Sequence, residues 1–147
     1  MGRSAEVLLV EDDDSYTRLV LFIFELMEYS CTIDTAANGV EAISKLGERF
    51  SSGENFYDIV ITDINMAFID GIELTKYIKS FYSNMNIPVV IMSSHDEFEV
   101  CAQVQSAGAD RFIQKPPCID ELLKSLSSAI FDFVVLKNNE INLAQNE

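Results

Sequence analysis

Five short apolar, β-favouring runs recur along the chain, at residues 6–10, 31–35, 58–62, 88–93 and 111–114, and a segment with helical spacing follows each of them. This alternation constrains the fold more than any other feature, because runs such as VLLV, IVI and VVIM are continuous rather than alternating. Strands of that kind are buried on both faces, as in a parallel sheet covered by helices above and below. Helical spacing links Leu19, Phe22, Ile23 and Leu26; Val40, Ile43 and Leu46; Ile72, Leu74 and Ile78; and Val100, Val104 and Ala107. A last series, Ile119, Leu122, Leu123, Leu126, Ile130 and Phe133, predicts a helix after the final strand. Asn38-Gly39, Ser52-Gly53, Asp70-Gly71 and Ala107-Gly108 punctuate the joints. The predicted class is doubly wound α/β, made of five βα units.

A chain of 147 residues is expected to form one domain around one core, burying roughly two-thirds of the surface its unfolded form exposes. Its 10 basic and 24 acidic residues give a formal charge of -14, which disfavours unaided binding to nucleic acid or anionic lipid and suits cations and basic partners. The longest nearly unbroken apolar run, 19–27, falls well short of the ~20 residues that span a bilayer. The N-terminal segment does not read as a secretory signal. Cys31, Cys101 and Cys118 form no paired framework, so they are expected to be small buried hydrophobes in a reducing cytoplasm.

In a doubly wound sheet the polar chemistry lies outside the carboxyl ends of the strands. Those ends carry Glu11 and Asp12 after the first strand, Asp63 after the third, Ser93 after the fourth and Lys115 after the fifth. They are far apart in sequence, so only the fold can gather them. Two unit charges a few ångströms apart repel by on the order of 4 kcal/mol at an effective dielectric of 20, a conflict that a hard divalent cation resolves. Mg²⁺ takes one or two carboxylates and leaves positions for water and phosphate oxygens. A lysine and a serine hydroxyl can meet phosphoryl oxygens, and an aspartate among them can act as the nucleophile of an aspartyl phosphate. Asp13 and Asp14, by contrast, are expected to cap and solvate the start of the first helix.

Taken in order, the segments VLLVEDDD, DIVITDINMAFIDGIEL, IPVVIMSS and AGADRFIQKP make the chain similar to the receiver domain of two-component response regulators. The resemblance implies a flavodoxin-like (βα)5 three-layer sandwich with strand order 2-1-3-4-5. It places a receiver domain over residues 6–133 and a helical extension with a polar tail over 134–147. Asp63 is then the phosphoacceptor, served by a histidine kinase or a histidine phosphotransfer protein. Asp12 binds Mg²⁺ directly, with Mn²⁺ as a substitute, Glu11 acts through water, and the backbone carbonyl of Asn65 completes the protein ligands. Ser93 and Lys115 contact the phosphoryl group, and Ser93 and Phe112 form the switch read by a downstream protein or an attached output domain. The chain is then a switch that catalyses only its own phosphorylation and dephosphorylation.

Several positions depart from the family's usual residues. Glu11 stands where Asp is commoner, Ala67 replaces a frequent proline, Ser93 replaces threonine, and Pro117 follows Lys115-Pro116, a bond often cis in the family. His95 is expected to be an exposed loop residue, and the run LVLFIFELM to be mostly buried. The apolar continuation IFDFVVL before the tail has two competing explanations, a helical linker that runs on into a longer multidomain protein, which is favoured, and a free-standing receiver that packs the extension on itself or on a partner. A competing reading is a Mg²⁺-dependent phosphohydrolase acting on an external phosphoester. TDINM lacks a second aspartate two residues on to act as general acid, and no insertion is long enough to cap a substrate.

Overall fold

A computed structural model describes residues 3–94 and 98–145. Five parallel strands, β1 (Ala5–Val10), β2 (Cys31–Ala36), β3 (Ile59–Asp63), β4 (Val89–Ser93) and β5 (Arg111–Gln114), form one sheet in the order β2-β1-β3-β4-β5. Helices α1 (Asp14–Leu26), α2 (Gly39–Ser52), α3 (Gly71–Phe81), α4 (Phe98–Ala107) and α5 (Ile119–Ile130) follow the strands in turn. Class, topology and strand order are those expected. Single-residue shifts at strand ends matter in one place, where β3 extends through Asp63 and makes that aspartate the last residue of the sheet itself.

Alternation along the strands sorts the core into two layers. Val7, Leu9, Ile59, Ile61, Val90, Met92 and Ile113 pack with Val20, Ile23 and Phe24 of α1 and with Leu122, Leu126 and Ile130 of α5. Leu8, Val10, Val60, Val89 and Ile91 pack with Ala42 and Leu46 of α2, Leu74 and Ile78 of α3 and Val104 of α4. Both faces are covered, which is why the strands read as unbroken apolar runs.

Three expectations need correction. The α1 run is buried along one stripe only, and Phe22 and Leu26 are about half exposed, because their i, i+4 spacing turns them away from the sheet. Cys101 and Cys118 are exposed, on α4 and immediately before α5, and only Cys31 is half-buried. The Lys115–Pro116 bond is trans. His95 lies outside the described residues.

Beyond Ile130 the chain makes one π-helical turn, Phe131–Val135, and continues as α6 (Leu136–Gln145). Val134 is buried against the α1–α5 layer, whereas Phe131 and Leu136 are 40% and 42% exposed. No helix among the described residues is long and apolar enough to cross a membrane.

Candidate functional site at the carboxyl edge of the sheet

The registers Val10↔Thr62 and Thr62↔Ile91 run β1, β3 and β4 out of the sheet side by side, so the residues after them share one edge. Lys115 joins that edge because its backbone N–H donates to the carbonyl of Ser93 at 2.7 Å. Glu11, Asp12 and Asp63 each offer a carboxylate oxygen, and these atoms lie within 4.8 Å of one another. Lys115 Nζ is 3.1 Å from Glu11 Oε2 and 3.5 Å from Asp63 Oδ2. Ser93 is fully buried at the end of β4, and Asn65 is exposed just beyond β3. Phe112 pairs in register with Ile91 and leans half-buried on the α2–α4 layer.

The local chemistry of each segment explains its placement. Asp13 caps α1 through its side chain, accepting from the backbone N–H of Ser15 and Tyr16 at 2.9 and 3.2 Å. Of the acidic quartet, then, Glu11 and Asp12 belong to the cluster and Asp13 to the helix start. Asp70 caps α3 by accepting from Glu73 N–H at 2.8 Å. The following Gly71 lets the helix close on β3, since a Cβ there would lie 2.1 Å from the carbonyl oxygen of Asp63. Ile64 N–H donates to Asp63 Oδ1 at 2.9 Å, which fixes that carboxylate and leaves Oδ2 toward Lys115.

Electrostatics divide the three acids. Glu11 is 3% exposed, and burial followed by the nearby charge of Asp63 pushes its carboxyl up to about 7 against the pull of Lys115. Burial also raises Asp63, with Lys115 acting the other way. Asp12 is exposed. One ammonium pairs with two of the three carboxylates, Glu11 and Asp63, so the cluster is an all-oxygen donor set with an excess of negative charge, which fits a hard divalent cation. Glu11 is the deepest of the three carboxylates and lies 3.1 Å from Lys115 Nζ.

Two residues at this edge escaped the sequence reading. Tyr16, in the first turn of α1, lays its ring over Lys115 Nζ at 4.1 Å from the centroid. Burial, then the charges of Glu11 and Asp63, push its hydroxyl up to about 12. An aromatic one turn past the acidic quartet was the available signal. Phe68, in the β3–α3 loop, has φ of 70° and is 87% exposed, a left-handed non-glycine residue five positions after Asp63. Nothing in an apolar side chain announces that it will be turned outward.

The sequence model of the response regulator receiver domain matches residues 7–127. Among curated relatives, the transcriptional regulatory protein ZraR of Klebsiella oxytoca is 33% identical over 129 residues, 88% of this chain and 27% of that protein. The two-component response regulator-like protein APRR7 of Arabidopsis thaliana is 36% identical over 120 residues, 82% of this chain and 16% of that protein. The chain thus spans under a third of the length of either relative. Among solved structures, the chemotaxis protein CheY4 of Vibrio cholerae is 26% identical with a TM-score of 0.71, covering 86% of this chain and 98% of that one. The phosphorylated cyanobacterial phytochrome response regulator RcpA superposes with a TM-score of 0.78 at 21% identity, covering 90% and 95% of the two chains, a likeness of fold. With family match, strand order and acidic edge in agreement, the chain belongs to the receiver domains of two-component response regulators.

Proposed function

We propose that the chain accepts a phosphoryl group on Asp63 from a phosphohistidine of a histidine kinase or phosphotransfer protein, and that the modification alters a surface read by a downstream protein or attached output domain. The observation that carries this reading is the position of Asp63. It is 7% exposed at the end of β3, with Oδ1 tied to Ile64 N–H at 2.9 Å and Oδ2 facing the lysine at 3.5 Å. A carboxylate held by one oxygen and open at the other is a positioned nucleophile.

In the transfer, an Asp63 carboxylate oxygen forms a bond to phosphorus while the phosphorus–nitrogen bond to the donor histidine breaks, its electron pair returning to the imidazole. Lys115 turns from Glu11 toward a phosphoryl oxygen and balances the charge that gathers there. Glu11, Asp12, Asp63 and the carbonyl of Asn65 would hold Mg²⁺, or Mn²⁺ in its place. What the ion supplies when bound is neutralisation of the crowded carboxylates and of the phosphoryl oxygens. Ser93 hydrogen-bonds the modified carboxyl group, and Phe112, one strand over, transmits that contact to the α4–β5–α5 surface.

Incubation with Mg²⁺ and phosphoramidate, followed by intact-mass measurement, should show one added phosphoryl group in the wild type and none in Asp63→Ala or after chelation. Turnover of an external phosphoester by the wild type that is lost in Asp63→Asn, with no adduct on the wild type, would overturn the reading.

A further inference from the structure

Lysine is a flexible point charge, and a receiver's lysine has to be in one place for the transfer to use it. An ammonium has three N–H donors. In Lys115 one is directed to Glu11 Oε2 at 3.1 Å and a second faces Asp63 Oδ2 at 3.5 Å, while the Tyr16 ring covers a further side with its centroid 4.1 Å from Nζ. The lysine side chain is only 16% exposed as a result.

We propose that Tyr16 is a positioning residue that acts through Lys115, its ring face holding the ammonium between Glu11 and Asp63. The inference rests on the reading of Asp63 as phosphoacceptor. A ring face attracts a cation through its quadrupole yet adds no charge and forms no directional bond. It keeps Nζ near the acceptor while leaving the ammonium able to pivot from Glu11 to an arriving phosphoryl oxygen. A third carboxylate in that position would hold the lysine too tightly and deepen the charge excess. The ring is itself held, because Tyr16 N–H is part of the α1 cap on Asp13 at 3.2 Å. Its hydroxyl is buried and has no hydrogen-bond partner among the described residues, so the aromatic face and not the hydroxyl makes the contact that matters. The arrangement gives the four-acid stretch a second use, since the cap that starts the helix also aims the ring.

The test compares wild type, Tyr16→Phe, Tyr16→Leu, Lys115→Met and the Tyr16→Leu/Lys115→Met double variant. One readout is the rate of adduct formation at saturating phosphoramidate and Mg²⁺. The other is the NMR shift of the Lys115 ε-methylene protons, which a ring face moves upfield whether or not Asp63 accepts phosphate. Tyr16→Leu should slow the adduct about tenfold, equivalent to roughly 1.4 kcal/mol in the barrier, and lose the upfield shift. Tyr16→Phe should keep both the shift and the rate to within about twofold. In the Lys115→Met background Tyr16→Leu should change the rate by less than about twofold, since its effect is routed through the lysine. An equal loss with and without the lysine, a Phe variant as slow as Leu, or no upfield shift in the wild type each overturns the proposal. A wild type that shows the shift but takes no adduct sinks the function proposed for Asp63 and upholds the placement of Lys115.

Discussion

The two edges of the sheet treat carboxylates in opposite ways. At the amino edge Asp58, just before β3, accepts Glu6 N–H at 2.8 Å and a two-pronged contact from Arg3 at 2.6 and 3.1 Å. Asp110, just before β5, repeats the device, accepting Val89 N–H at 2.8 Å and Lys79 Nζ at 2.6 Å. Each aspartate ties a strand start to the neighbouring strand and has its own cation. At the carboxyl edge Glu11, Asp12 and Asp63 bring carboxylate oxygens within 4.8 Å of one another, and among the described residues the one cation paired with the cluster is Lys115, which reaches Glu11 and Asp63. The amino edge pairs each of these aspartates with its own cation and serves the fold, whereas the carboxyl edge gathers more carboxylates than its lysine balances, a donor set that fits a hard cation. Family membership follows from the whole chain, but this asymmetry shows which end of the sheet has chemistry left to do.

The comparison can be broken by substitution and by pH. Gly71→Ala should have the largest effect, costing about 4 kcal/mol by driving α3 off β3; urea unfolding with an unchanged m-value would measure it, and a loss below about 1 kcal/mol would mean that the edge can yield.

The pH dependence comes next. Glu11 binds its proton more tightly folded than unfolded, shifting from 4.5 to about 7, so in the absence of metal its contribution to stability is full below pH 4.5, declines as pH rises to about 7 and is level above. The part due to Glu11 should be on the order of 3 kcal/mol, so Glu11→Gln should make the decline markedly smaller, leaving what Asp63 contributes, and saturating Mg²⁺ should turn the decline into a gain, because metal needs the deprotonated carboxylates. On β2 the sign is the opposite. Burial opposes ionisation of Asp34, but hydrogen bonds from Lys45 and Tyr57 outweigh it and hold that carboxyl below its ordinary 3.8, so its contribution is lost as pH falls through that range.

Asp58→Ala should destabilise the amino edge by about 2 kcal/mol at any Mg²⁺ concentration, since it leaves Glu6 N–H unpaired. A Mg²⁺-dependent effect there would dissolve the distinction between the edges. The smallest expected change is a gain of about 1 kcal/mol in Phe68→Gly, which relieves the left-handed backbone at a side chain that packs on almost nothing. Thermal melts resolve a difference of that size.

Much of this was readable from residues alone, for identifiable reasons. Continuous apolar runs disclosed a two-sided parallel sheet because burial on both faces leaves no polar alternation. Asp13 could be read as a cap, and Asp70-Gly71 as a joint, because capping and turning are decided within three residues. The cluster residues were legible as strand-end groups of the right types. The depth of Glu11, its pairing with Lys115 and the ring of Tyr16 were not, because each depends on groups brought together from distant segments. Exposure of Phe22, Leu26 and Cys101 was misjudged for a related reason, as hydrophobicity says that a residue can be buried, not that a neighbour arrives to bury it.

By itself, then, the sequence determined the class of fold, the strand-end chemistry and the family, since periodicity, local capping and residue type are properties of short stretches. Only the tertiary structure decided which carboxylate is buried, which oxygen of Asp63 is left open and what holds the lysine. Those depend on how strand register and helix packing combine long-range distances with the loss of water, and no single segment contains that information.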